Sequence, residues 1–171
     1  MQIEAPFELV LFGGMGDLAL RKLIPALFLL HRDGRLPEGM IYATTRQEMA
    51  RDDFTTRIES SVRAQVAADY MDQQLLETFI ERVECFTLDV NNLEAYSLLA
   101  NTLSADDVNR LFYMATGSDL YSSICKGLNE AGLIRERSKI VLEKPIGHNL
   151  ETAQAINEDV AEFFAEHQIY R

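Results

Sequence analysis

The stretch Gly13-Gly14-Met15-Gly16-Asp17-Leu18-Ala19 is where this chain could bind an anion through its backbone. It follows a short apolar run, Phe7 and Leu9 to Phe12, and a helical pattern begins at once behind it. A strand, a glycine turn and a helix start together form a phosphate site. The first helical turn leaves N–H groups unpaired and carries a partial positive charge, and glycine lets the backbone come close to the anion. Two registers fit a dinucleotide fingerprint, Gly14-x-Gly16-x-x-Ala19 and Gly13-x-x-Gly16. A Walker loop does not fit, because Lys22 is followed by Leu23 and the glycine spacing differs. The alternative is a tight strand-to-helix turn that binds nothing.

A second position of interest ends the next apolar segment, Tyr42-Ala43-Thr44-Thr45-Arg46-Gln47. NAD selection needs a carboxylate there to accept from the ribose 2′-hydroxyl, yet no acid precedes Glu48. A guanidinium instead matches a 2′-phosphate with two parallel charge-assisted hydrogen bonds, so Arg46 points to NADP. It lies 30 residues after Gly16, further than usual, because a long helix and the Pro37 loop intervene. The competing reading is a solvated surface arginine. Asp89-Val90 and Thr116-Gly117 end two later strands and would line the adenine and nicotinamide sides of a crevice, unless they are plain strand-terminal turns. Glu143-Lys144-Pro145 ends another strand. Proline biases Lys144 toward extended backbone, and its ammonium suits a substrate hydroxyl or phosphate, with a solvated lysine as the alternative. His31, His148 and His167 are scattered and form no metal cluster, and His148, after a glycine turn, is expected to be exposed. Tyr121 and Lys126 are five apart, not the four that short-chain dehydrogenase chemistry uses.

Positioning these residues on one edge requires alternating strands and helices. Strands are expected at Met40–Thr44, Val83–Leu88, Arg110–Ala115, Lys139–Glu143 and Gln168–Arg171, beside the first at Phe7–Phe12. The first helix should run from Asp17 to Arg32, with Leu18, Leu23, Leu27 and Leu30 facing inward and a kink or break at Pro25. Further helices are expected at Arg51–Tyr70, Asp72–Arg82, Leu93–Leu103 and Asp119–Ala131, and another opens at Asn149 or Leu150. Right-handed crossovers then impose an α/β doubly wound parallel sheet of about six strands, with helices on both faces and order 3-2-1-4-5-6. The 171 residues make one dinucleotide-binding domain.

Composition bounds the function classes. A net charge of −11, from 27 acidic and 16 basic residues, argues against nucleic-acid or anionic-membrane partners. Any anion site must therefore be local. Two cysteines 40 residues apart, Cys85 and Cys125, support neither a disulfide nor a zinc site and are expected to be reduced, part-buried thiols. With no signal-like N-terminus and no run of membrane-spanning length, the expectation is a cytoplasmic protein.

Gly13 to Ala19 with Arg21-Lys22-Leu23-Ile24-Pro25-Ala26-Leu27 closely resembles the opening motif of glucose-6-phosphate dehydrogenases. Arg46, Leu88-Asp89-Val90, Glu143-Lys144-Pro145-Ile146-Gly147 and Gln168-Ile169-Tyr170-Arg171 recur in that family in the same order. The resemblance implies that Gly13, Gly14, Met15, Gly16, Asp17, Leu18, Ala19 and Arg46 bind NADP. Lys144 would contact glucose 6-phosphate beside the nicotinamide. It also implies a homo-oligomeric enzyme whose substrate domain and catalytic histidine base lie beyond Arg171, so that the domain alone is inactive. A free-standing NADPH-sensing or interaction module, or the first domain of another NADP oxidoreductase, are the alternatives. Thr116-Gly117-Ser118 departs from the prolines common in the family at that place.

Overall fold

The computed structural model describes residues 6–105, 108–147 and 149–171. Every residue of β1 (Phe7–Phe12) is buried, because alternate side chains serve opposite faces of the sheet. Leu9 and Leu11 join one core with Ile41, Phe28, Phe54 and Phe79, while Val10 and Phe12 join the other with Tyr96, Phe112, Ile124 and Phe164. A run read as continuously apolar is thus the shared wall of two cores.

The remaining strands are β2 (Gly39–Thr45), β3 (Val83–Thr87), β4 (Asn109–Met114), β5 (Ser138–Leu142) and β6 (Ile169–Tyr170). All pair in parallel in the order β3-β2-β1-β4-β5-β6, as expected from the alternation of elements. Helices α1 (Ile24–Arg32), α2 (Arg51–Gln65) and α3 (Gln73–Glu81) cover one face. Helices α4 (Leu93–Thr102), α5 (Tyr121–Glu130) and α6 (Leu150–Ala161) cover the other. Side chains of Asp72, Asn92 and Asn149 cap α3, α4 and α6.

Three local expectations are corrected. Beside Pro25, where a kink or break is expected, the helix is interrupted by a π-helical turn, Ala19–Leu23, that runs directly into α1, with Ile24 N–H bonded to Ala19 O. Proline lacks an N–H, and the wider turn just upstream accommodates it in the first turn of α1. The buried stripe is Ala19, Ile24 and Phe28, one residue after the expected Leu18, Leu23 and Leu27, which with Leu30 are only half-buried. The second helix stops at Gln65 rather than Tyr70, and Ala68–Tyr70 is a separate 3₁₀ turn. The last strand is short, preceded by a 3₁₀ turn at Glu166–Gln168.

The sheet's N-terminal edge is tied by side chains. Glu8 and Arg110 are register partners on β1 and β4, and the guanidinium donates to the Glu8 carboxylate from Nε at 2.9 Å and Nη2 at 2.7 Å. The Ser104 N–H donates to the other carboxylate oxygen at 2.7 Å. Among the described residues, no helix is long and apolar enough to cross a membrane.

Candidate functional site

The tips of β1, β2, β3, β4 and β5 share the opposite edge, and between β1 and β4 the order in which successive strands are added switches from one side of the sheet to the other. The glycine turn is wedged between two neighbouring strand tips. A Cβ on Gly13, whose φ is +77°, would lie 2.5 Å from the Ala115 carbonyl oxygen after β4. A Cβ on Gly14 would lie 2.6 Å from Ala43 Cα on β2. Both positions therefore require glycine. Thr44, at the tip of β2, holds the turn: Gly13 N–H donates to its hydroxyl at 3.3 Å and Gly14 N–H to its carbonyl at 3.0 Å. Gly13 makes the reversal, and fully buried Ala19 packs the helix on the sheet. Gly16 O accepts the first helical bond, from Leu20 N at 3.0 Å, so the Asp17, Leu18 and Ala19 N–H groups precede any helical partner.

Over this turn lies a hollow of about 250 Å³, lined by Gly13, Met15, Gly16, Arg46, Val90 and Thr116 among others. A second, larger hollow of about 910 Å³ continues from it, and Met15, Thr45 and Arg46 line both. Arg46 is exposed where the two meet, and among the described residues it pairs with no carboxylate. Val90 is held by Tyr96, whose hydroxyl donates to the Val90 carbonyl at 3.1 Å. Asp89 belongs to the turn rather than to the lining: its carboxylate accepts from Asn91 N–H at 3.0 Å.

Lys144 lines a third hollow, of about 200 Å³, which shares Thr116 with the one over the glycine turn. Its base is the tip of β5. The Tyr113 hydroxyl donates to the Glu143 carboxylate, and the Tyr121 hydroxyl lies 3.2 Å from the Glu143 carbonyl and 3.5 Å from that of Met114. Tyr121, almost fully buried, thereby ties the tips of β4 and β5 together. Burial, and for Tyr113 also the Glu143 carboxylate, raises both phenol pKa values, so both remain donors at neutral pH. Lys144 itself is exposed. The Lys144–Pro145 peptide is cis.

The structure thus gathers Gly13, Met15, Gly16, Arg46, Val90 and, through Thr116, Lys144 along one crevice, with Gly14, Leu18 and Ala19 behind the turn. No sequence signal marks the positioning roles of Thr44, Tyr113 and Tyr121, because each acts through a hydrogen bond to a segment distant in the chain. Cys85 is half-buried and Cys125 buried, both free, and burial pushes the Cys125 thiol up to about 12. Among the described residues no three metal-ligating side chains converge. His31 and His167 stand apart from the crevice, and His148 lies outside the described residues.

The family model described as glucose-6-phosphate dehydrogenase, NAD binding domain, matches residues 10–171. Glucose-6-phosphate 1-dehydrogenase of Gluconobacter oxydans (strain 621H) is 40% identical over 175 residues, which cover 99% of this chain and 35% of that protein. That of Mycolicibacterium smegmatis is 37% identical over 172 residues, covering 97% and 35%. The crystal structure of glucose-6-phosphate 1-dehydrogenase from Mycobacterium avium superposes with a TM-score of 0.88 at 29% identity, over 97% of this chain and 35% of that one. A glucose-6-phosphate dehydrogenase in complex with its substrate glucose-6-phosphate also superposes at 0.88, with 26% identity over 100% of this chain and 37% of that one. The chain spans about a third of the length of the curated relatives it matches.

Proposed function

Because the chain belongs to the glucose-6-phosphate dehydrogenase family and matches its nucleotide-binding domain, we propose that it is the NADP-binding domain of an enzyme that oxidises glucose 6-phosphate at C1 to 6-phosphogluconolactone. The substrate domain and the general base would follow Arg171, and the complete enzyme would be a cytoplasmic homo-oligomer. The observation that carries the NADP reading is Arg46 at the tip of β2, bordering both hollows, with no carboxylate in the sequence there before Glu48. A 2′-phosphate replaces the ribose hydroxyl that a carboxylate would recognise, and a guanidinium is its planar, bidentate partner.

The residues fit such a cofactor. The glycine turn is shaped by contacts that leave no room for a Cβ at Gly13 or Gly14, and the first helical N–H groups lack helical partners. In this reading the backbone from Gly13 to Ala19 holds the pyrophosphate and Arg46 the 2′-phosphate. Asp89 and Val90 border the adenine side, Asp89 by shaping the turn. When bound, the cofactor supplies a nicotinamide C4 that accepts hydride. Lys144 positions the sugar phosphate from the neighbouring hollow, on a strand tip kept in place by Tyr113 and Tyr121. The domain supplies no base to take the C1 hydroxyl proton, so it binds without turning over.

Titrating NADP and NAD into the purified chain by calorimetry tests the reading. NADP should bind more tightly than NAD. Arg46→Ala should weaken NADP about tenfold or more while leaving NAD unchanged; equal losses for both would remove the proposed role. NADPH formation by the 171-residue chain with glucose 6-phosphate and NADP would show that the base has been misplaced.

A further inference from the structure

We propose that Arg57 on α2 is a second guanidinium for the ribose 2′-phosphate, acting across the larger hollow from Arg46. This rests on the NADP reading above and extends it to a residue that no sequence motif marks. Both arginines line the same hollow of about 910 Å³. The arginines that flank Arg57 on its helix are engaged. Arg51 donates to the Val83 carbonyl at 3.0 Å, and Arg63 donates from Nε to Glu59 at 2.9 Å. Arg57, exposed between them, has no hydrogen bond or ion pair among the described residues, and neither has Arg46. The hollow therefore holds two uncommitted guanidinium groups on adjoining elements, the β2 tip and the second turn of α2.

Charge balance gives the second one a purpose. Glu48 and Asp53 line the same hollow, so Arg46 alone would leave it net negative, which disfavours a phosphate dianion. Arg57 brings the lining to neutrality before the ligand arrives, and its planar fork adds donors for the phosphate oxygens that Arg46 does not reach. The Met15 thioether, between turn and hollow, offers no donor. Cationic recognition from the side chains consequently falls to the two arginines.

The test is calorimetric titration of the 171-residue chain, wild type and variants, with NADP and with NAD. Arg57→Ala should weaken NADP about tenfold and leave NAD within about twofold. Arg57→Lys should recover part of the loss, because it restores charge without the fork. Arg57 makes no hydrogen bond or ion pair among the described residues, so thermal melting should be unchanged; should Arg57→Ala melt early, Arg57→Gln is read in its place. NADP affinity that is unaltered in the variant, or NAD weakened as much as NADP, overturns the proposal. Arg46→Ala separates the two ideas. If it discriminates NADP from NAD and Arg57→Ala does not, the site stands and Arg57 has no part in it. If wild type binds neither nucleotide, both fail.

Discussion

Replacing Arg110 by methionine should be among the most destabilising single changes away from the crevice. The side chain is 2% exposed and shares three short hydrogen bonds: two to the Glu8 carboxylate, at 2.9 and 2.7 Å, and one to the Ser104 carbonyl, at 2.9 Å. Methionine fills most of the same volume and removes all of them. What remains is a buried carboxylate that has lost its counter-charge and accepts from the Ser104 N–H at 2.7 Å. Losing one partner of a buried pair costs about 3–5 kcal/mol, and the lost hydrogen bond to the Ser104 carbonyl adds about 1 kcal/mol. Removing both charges is different: Glu8→Leu with Arg110→Met leaves no isolated ion, and such apolar replacements come out near neutral. Urea unfolding followed by circular dichroism gives each value as a shift in midpoint at constant slope. The double variant should be more stable than Arg110→Met alone by at least about 2 kcal/mol. Additive losses, or an Arg110→Met variant within about 1 kcal/mol of wild type, would show that the pair is not a desolvated, mutually dependent unit.

Two further outcomes are expected. Gly34, with φ +64° and nothing within 4 Å of a built Cβ, isolates the backbone cost of alanine, about 1–2 kcal/mol. Gly13→Ala should cost about 1–3 kcal/mol more than Gly34→Ala, because its Cβ meets a backbone carbonyl at 2.5 Å; equal midpoints in urea would contradict the wedged turn. His31 accepts at Nδ1 from the Arg82 guanidinium at 3.2 Å, and its Nε2 lies 3.0 Å from the Thr78 hydroxyl. Burial first and Arg82 second lower its pKa below the usual 6.5. The unfolded chain thus holds that proton more tightly, and stability should decline as pH falls below about 6.5, until the folded-state pKa is passed. His31→Gln should flatten that part of a stability profile measured from about pH 8 to pH 5; a profile identical to wild type would refute it.

Much of the fold could be read from the residues, and for physical reasons. Apolar strand runs alternating with helical patterns leave right-handed parallel crossovers as the connection, which orders the six strands. Arg46 can be proposed from sequence because the end of β2 is where such sheets select the ribose. The Glu8–Arg110 pair cannot, since each charge sits within an apolar run and its partner is 102 residues away. The buried stripe of the first helix was misplaced by one residue: Leu18, Leu23 and Leu27 repeat with the same steps of five and four as the buried Ala19, Ile24 and Phe28 across the widened turn at Ala19–Leu23, so apolar periodicity alone does not choose between them. Arg57 carried no signal at all, as one arginine among several on a charged helix.

That widened turn has a consequence for how this helix can vary in length. Each residue of an α-helix rotates the chain by about 100°, and the glycine loop is pinned to Thr44 at one end while Phe28 is seated among Phe54, Phe79 and Ile41 at the other. Deleting any one residue from Ala19 to Leu23 would turn the bulge into ordinary helix and leave Phe28 on nearly the same bearing, because the five residues of the wider turn cover about the rotation that four cover in an α-helix. The surplus residue is absorbed without displacing either the ligand loop or the core anchor, so this is the place where the helix tolerates a change of one residue in length.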